Sequence, residues 1–448
     1  MKSLRLNMYK KINYIAAALV LITGVAAQAQ VTTQSPYSRY GVGNIKGSIL
    51  PQLRAMGGIS TAIYRPNGSL SAYNTINMQN PSSYAGINLT TIDVGMTGGI
   101  TELRNSSASE SSFNSTLSHV ALAFPITRRS ALSFGIMPFS ELGYQFENQT
   151  TLSTPSNPSS QVANYIYAGE GGITKAYIGY GIGLGDHFRI GANAEYLFGN
   201  LLQSRSTEFV DATAINSRMQ NKNSVGGMSY SYGAQYDIPL GNKTSLTLGY
   251  SGSSSSKVNS RKSYVATQYF KDQTSGDELT AIDTLVFTEN EKTNLKLPLL
   301  HNFGVVLQKD NKWLIGADYR MGKWSEFSID NQNQGLQDTY GFSIGSQITP
   351  DVTSIGSYFK RVDYRLGFAY DKTSINLNNQ DIKQMAITFG FGFPLAPSPS
   401  GLTFYKVNFT TELGKRGSIS NGLLEERYIN FHLGFTLNDK WFRRFKFQ

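Results

Sequence analysis

Ten residues near the end of the chain, YINFHLGFTL (428–437), alternate without a break. Ile429, Phe431, Leu433, Phe435 and Leu437 fall on one parity; Tyr428, Asn430, His432, Gly434 and Thr436 fall on the other. A period of two is that of a strand, whose successive side chains point to opposite faces. The pattern recurs along the chain. Met385, Ile387, Phe389, Phe391, Phe393 and Leu395 share a parity opposite Gln384, Ala386, Thr388, Gly390 and Gly392. Phe188, Ile190, Ala192, Ala194, Tyr196 and Phe198 alternate with Arg189, Gly191, Asn193 and Glu195. Trp313 to Met321 alternates with Gly316, Asp318 and Arg320, and Val362 to Tyr370 with Asp363, Arg365 and Gly367. Counting such segments predicts fourteen strands, near 90–104, 114–127, 130–150, 172–185, 188–206, 222–239, 243–258, 294–309, 312–328, 337–350, 355–374, 381–396, 401–417 and 424–438.

The second face decides the architecture. A soluble sandwich needs a dry partner for every apolar face. A transmembrane barrel gives that face to lipid and turns the polar one inward. Arg189, Glu195, Asp318, Arg320, Asp363 and Arg365 are therefore the candidate lumen-facing residues. Closure of the sheet satisfies the backbone within the bilayer. The connections alternate in length. ITRRS (126–130), GDH (185–187), PLGNK (239–243), KDNK (309–312), TPDV (349–352) and APSPS (396–400) are short, whereas 105–113, 151–171, 207–221 and 259–293 are longer. Short turns face the periplasm in such barrels, and an even strand number puts both barrel ends there. The fold class is thus all-β: a closed 14-stranded antiparallel transmembrane barrel over residues 90–438. Segment 259–293, with YVATQYF and DTLVFTE, is either a surface hairpin or an extension of the wall, and is the candidate external contact.

The N-terminus changes the picture in two ways. Lys2, Arg5, Lys10 and Lys11 precede INYIAAALVLITGVA and the small residues Ala27 and Ala29, the plan of a signal peptide over residues 1–29. A membrane anchor is the alternative, but the apolar run is short for a span. Residues 30–89 carry no long alternating strand. They hold RAMGGISTA (54–62) and NTINMQNPSSYAGI (74–87), apolar enough to pack, and are expected to form a hatch inside the lumen rather than a periplasmic tail. Residues 439–448, DKWFRRFKFQ, are expected to be a basic periplasmic tail.

Composition excludes more than it assigns. There is no cysteine, which removes disulfides and thiolate metal sites. The formal charge is +10 and the basic residues are scattered, with no basic–aromatic patch that argues for nucleic acid. His119, His187, His301 and His432 lie apart and fit no metal-ligand spacing; no G-x-S-x-G elbow or phosphate loop occurs. No catalytic residue, metal or cofactor is expected, and an enzyme is not.

On these residues the chain resembles the FadL-like family of outer-membrane barrels, transporters of long-chain fatty acids and other hydrophobic compounds. It is also similar to Bacteroidota outer-membrane proteins that open with stretches like PYSRYGVGNI (36–45) and RAMGGIS (54–60). The resemblance implies fourteen strands, an N-terminal hatch and an Asn-Pro-Ala motif within it. Here Asn80, Pro81 and Ser82 stand at that motif, with Ser in place of Ala. It further implies an outer-membrane location and a passive channel for small hydrophobic molecules that leave through a gap in the wall. The partners it implies are outer-membrane lipids and a hydrophobic ligand. The alternative is an accessory or scaffold subunit of an outer-membrane assembly or secretion complex, whose partners would be outer-membrane or periplasmic proteins.

Overall fold

The structure, a computed structural model, describes residues 35–440 apart from 155, 156, 212, 273, 274, 276 and 400. The expected signal peptide and most of the expected basic tail lie outside the described residues. Fourteen barrel strands follow one another: β1 (Thr90–Arg104), β2 (Ser109–Thr127), β3 (Ser130–Thr154), β4 (Asn157–Leu184), β5 (Phe188–Phe209), β6 (Asn216–Gly241), β7 (Thr244–Ser253, continued by Lys257–Tyr269), β8 (Asp283–Lys296, continued by Leu300–Lys309), β9 (Trp313–Gly322), β10 (Thr339–Ile348), β11 (Asp363–Leu377), β12 (Gln380–Pro394), β13 (Thr403–Gly417) and β14 (Glu425–Asp439). Each is antiparallel to its neighbours. β14 pairs with β1 from Glu425↔Arg104 to Asp439↔Thr90, so the ring closes.

The alternation has the expected physical cause. Along β14, Phe431, Leu433 and Phe435 are exposed, whereas His432, Gly434 and Thr436 are buried. The outward aromatic rings stack across strands, as in Phe409–Phe431 at 6.3 Å and Tyr405–Phe435 at 6.2 Å. A greasy exterior over a polar, filled interior is the arrangement of a barrel solvated by lipid.

The wall is uneven. β4 has 28 residues and β6 has 26, whereas β9 and β10 have 10 each. A membrane strand needs only about 9–11 residues, so β3 to β8 rise well beyond the bilayer on the long-loop side. The tall wall explains one departure from the sequence reading and decides one alternative left open there; a second departure lies at the other end. Residues 157–171 are strand rather than loop, because above the membrane neither face must be apolar and the alternation fades. Segment 259–293 is mainly an extension of the wall, Lys257–Tyr269 pairing with both β6 and Asp283–Lys296. The strand expected from 355 starts at Asp363, since 349–362 form a turn with a 3-10 segment at Tyr358–Arg361.

The lumen is occupied by residues 35–89. Their regular structure is sparse: α1 (Pro51–Arg54), which begins on a proline whose missing N–H costs nothing at a helix start, and 3-10 turns at Pro36–Arg39 and Pro81–Gly86. Leu50, Leu53, Met56, Ile59, Ile76 and Tyr84 are wholly buried there.

Candidate functional site: the filled lumen, an outer cavity and a seam

A segment with little secondary structure must find partners for its backbone elsewhere. Here the inward side chains of the wall supply them. Asp318 on β9 accepts from the backbone N–H of Ser60 at 2.8 Å and of Thr61 at 2.9 Å, and from the Thr61 hydroxyl. Gln235 donates to the carbonyls of Thr61 (3.0 Å) and Ile63 (3.1 Å), Gln308 to that of Arg65 (3.0 Å) and Gln347 to that of Pro66 (3.0 Å). Thr388 accepts from the Gly57 N–H at 2.8 Å and donates to the Ala55 carbonyl.

Two close approaches depend on glycine. A Cβ at Gly367 would lie 2.0 Å from the Gly57 nitrogen, and one at Gly191 would lie 2.4 Å from the Pro81 carbonyl carbon. Only a missing side chain lets one backbone rest on another at this range. Gly367→Ala is therefore expected to lift residues 54–62 off β11 while the barrel still forms. Hydrogen exchange of these amides should rise by about tenfold or more relative to wild type, since they lose direct seating; unchanged protection would refute it.

Asn80 sits at the crossing of these segments. Its side-chain amide donates to the carbonyls of Thr61 (2.6 Å) and of Tyr250 on β7 (3.2 Å), and its oxygen accepts from the Ser82 N–H (3.1 Å) and hydroxyl (2.7 Å). Pro81 holds the first position of the following 3-10 turn. Ser82 thus adds a hydrogen bond that an alanine would lack.

The six charged candidates divide by partner. Arg365 and Asp363 bind each other at 2.6 Å and join a wider network. Asp363 also pairs with Lys406, and accepts from Thr349 at 2.8 Å. Arg365 donates to Gln347 (2.7 Å) and Asn408 (2.9 Å), and Lys406 to Asn67 of the inner segment (2.9 Å). Glu195 meets Lys175 at 3.3 Å, and Lys175 donates to Ser48 at 2.6 Å. Arg320 reaches Asp371 at 2.9 Å. Arg189 lies over the Tyr64 ring at 3.6 Å, with Asp237 at 3.9 Å. Lys175, Lys406, Asn408 and Glu412 were not singled out from the sequence. The signal was there on β13, where Lys406, Asn408, Thr410 and Glu412 hold the parity opposite Val407 and Phe409.

Above this packing lies a cavity of about 440 Å³ that opens toward the long loops. Ile45, Phe139, Leu300, Met321 and Trp324 line it, with Arg416 among its cations. Arg416 donates to Asn44 at 2.6 Å and its Nε has no partner among the described residues. The Arg416 guanidinium lies 5.3 Å from the Tyr37 ring, and the Tyr37 hydroxyl donates to the Leu424 carbonyl. Burial, reinforced by Glu426, pushes this phenol up to about 12, so it remains a donor.

Beside the cavity the wall is incompletely zipped. β2 and β3 pair only from Thr127↔Ser130 to Val120↔Ile136. Above that point β2 continues along β1 and β3 along β4, but not along each other. The β3 edge is met from inside by residues 35–46. Asn44 and Ile45 pair with Glu141 and Ser140, the Lys46 N–H donates to Phe139, and the Ser35 N–H to Gly143. Lys46 also forms an ion pair with Glu141. Residues 40–49 line the cavity as well, so one strip of chain separates cavity from seam.

Solved structures agree on the fold. The CymD monoaromatic hydrocarbon channel matches with a TM-score of 0.54 at 14% identity, over 88% of this chain and 98% of that one. The Ralstonia pickettii toluene transporter TbuX matches at 0.56 and 13%, over 88% and 99%. A Pseudomonas aeruginosa FadL homologue matches at 0.53 and 11%, over 89% and 100%. No curated protein matches. A family model, BamG, matches residues 8–448, and the chain belongs to the BamG family. It is an outer-membrane barrel whose apolar belt is in contact with lipid.

Proposed function

We propose that the protein is a passive route for small hydrophobic molecules, which enter the outer cavity and leave sideways through the β2/β3 seam into the membrane. The observation that carries this reading is the shared border: residues 43–46 line the cavity on one side and cover the β3 edge on the other. The tight seating of residues 50–87 supports treating 30–89 as a hatch that closes the periplasmic end, which leaves the side exit. The structural likeness to hydrocarbon and toluene transporters supports the same class of cargo. A long-chain fatty acid is a narrower form of the reading. Its alkyl chain would lie along Ile45, Phe139 and Leu300 and its carboxylate would meet Arg416.

The test uses the absence of cysteine. Ile45 and Ser140 are register partners, within reach of a disulfide once both are cysteine. In intact cells, the Ile45→Cys/Ser140→Cys variant should admit a hydrophobic fluorescent probe when reduced and fall to the rate of cells lacking the protein when oxidised. Entry no faster than in those cells, even when reduced, would end the transport reading. Equal entry in both states would keep transport and reject the seam.

A second reading, a non-transporting accessory or scaffold subunit of an outer-membrane assembly or secretion complex, is favoured by the ion-paired network that pins the hatch. A lumen tied shut in this way suits a barrel used for its surface. Depletion that lowers other outer-membrane proteins while probe entry persists would favour it.

A further inference from the structure

The turn between β10 and β11 is unlike the others at its end of the barrel. Residues 349–362 make the longest connection at that end, and they carry its two most exposed large apolar side chains. Ile355 is fully exposed, at 101%, Phe359 is 69% exposed, and Tyr358 is more than a third exposed. The turn is not loose. The Asp351 N–H donates to the Lys360 carbonyl at 2.8 Å, Val362 is buried, and the Arg361 guanidinium lies 5.4 Å from the Tyr358 ring.

The turn is continuous with the lipid-facing belt. The Tyr364 hydroxyl donates to the Phe359 carbonyl at 3.1 Å, and the Tyr364 ring meets Phe391 edge-on at 5.8 Å. Phe391 stacks on Phe393 at 5.9 Å. Aromatic rings at this height mark the membrane–water interface of a barrel. The charge is basic on balance, with Asp351 the one acid of the turn. Lys360 and Arg361 follow the apolar residues directly, and the other turns at this end add Arg128, Arg129, Lys243 and Lys312 against Asp186 and Asp310. Apolar side chains interleaved with cations suit a headgroup layer, in which the former enter the acyl boundary and the latter meet phosphate.

We propose that the 349–362 turn is an anchor seated in the inner leaflet of the outer membrane, with Ile355 and Phe359 in the acyl boundary and Lys360 and Arg361 on lipid phosphates. The short wall, β9 to β14, is thereby held from the periplasmic side, while the tall wall stands free on the other. The surface binds lipid rather than a protein because its apolar residues extend the belt already facing lipid.

An Ile355→Cys variant carrying a nitrobenzoxadiazole label tests this in bilayers containing phosphatidylglycerol and nitroxide lipids. Asp186→Cys, in another turn at the same end with a side chain 74% exposed, is the reference. The label at 355 should emit to the blue of the reference and be quenched about twofold or more strongly by headgroup nitroxides, as an interfacial segment is. Adding Lys360→Glu and Arg361→Glu should bring quenching down to the reference level. Water-like emission at 355 with reference quenching would overturn the anchor. So would a label that leaves water only when periplasmic extract is added, which would assign the turn to a protein. Quenching unaffected by the two glutamates would overturn the role given to the cations.

Discussion

Asp363→Ala is expected to destabilise the barrel by about 3–5 kcal/mol, the cost of leaving buried cations without their counter-ion. Asp363, Arg365 and Lys406 are each at least 95% buried, with exposures of 2%, 5% and 3%. The carboxylate is the acid that meets both cations, and its loss leaves two positive charges facing each other. The network spans three strands, because Asp363 reaches past β12 to Lys406. Gly392 makes this reach possible: a Cβ there would come within 2.7 Å of the Asp363 carboxylate and 2.9 Å of the Lys406 chain. Unfolding titrations in lipid vesicles, read as the gel shift between folded and unfolded barrel, measure the cost. Replacing all three residues by Leu, Leu and Met is expected to cost less than the single change, since no charge is then stranded. A single substitution that costs under about 1 kcal/mol would show that water reaches the cations and that the hatch is not sealed at this point.

How far the sequence speaks depends on which solvent a residue meets. Along β14 and β12, lipid on one side and polar filling on the other impose a strict alternation, so these strands are legible almost to the residue. Above the membrane no lipid imposes an apolar outer face on β4, and residues 157–171 read as loop although they are strand. The turn 349–362 fails in the opposite direction. Its Ile355, Tyr358 and Phe359 resemble the start of a strand, and their apolar character reflects the turn's own surface rather than a β face.

The site was legible as a parity and illegible as a set of pairs. Arg365 and Asp363 announce an inward face, but nothing local tells that Lys406, forty-one positions further on, completes their network; register across β12 decides that. The seam is a missing pairing between β2 and β3, and Ser109–His119 shows no break that marks it. Gly43 and Gly47, both at positive φ, bracket the strip that covers the seam. The role of Gly43 depends on its close approach to Glu141, which lies far away in sequence.

Leu433→Arg is expected to cost about 2–4 kcal/mol, whereas Ile429→Arg, four residues nearer the outer rim, should cost only about 0–1 kcal/mol. Both side chains project outward, with exposures of 49% and 41%, so neither change opens a cavity. The difference arises from depth alone. Leu433 is the third of the five outward apolar residues from Ile429 to Leu437, close to the middle of the band. Ile429 is the last before Arg427, which already carries its charge at the water side and pairs with Glu425 at 2.8 Å. An arginine at 429 extends its guanidinium into the headgroups along an apolar stem, whereas one at 433 must drag water or phosphate toward the midplane. The same vesicle titration compares the two. Equal costs would mean that the outward face of β14 does not span the hydrocarbon layer at the depth assigned, and the membrane boundary would then have to be redrawn around all fourteen strands.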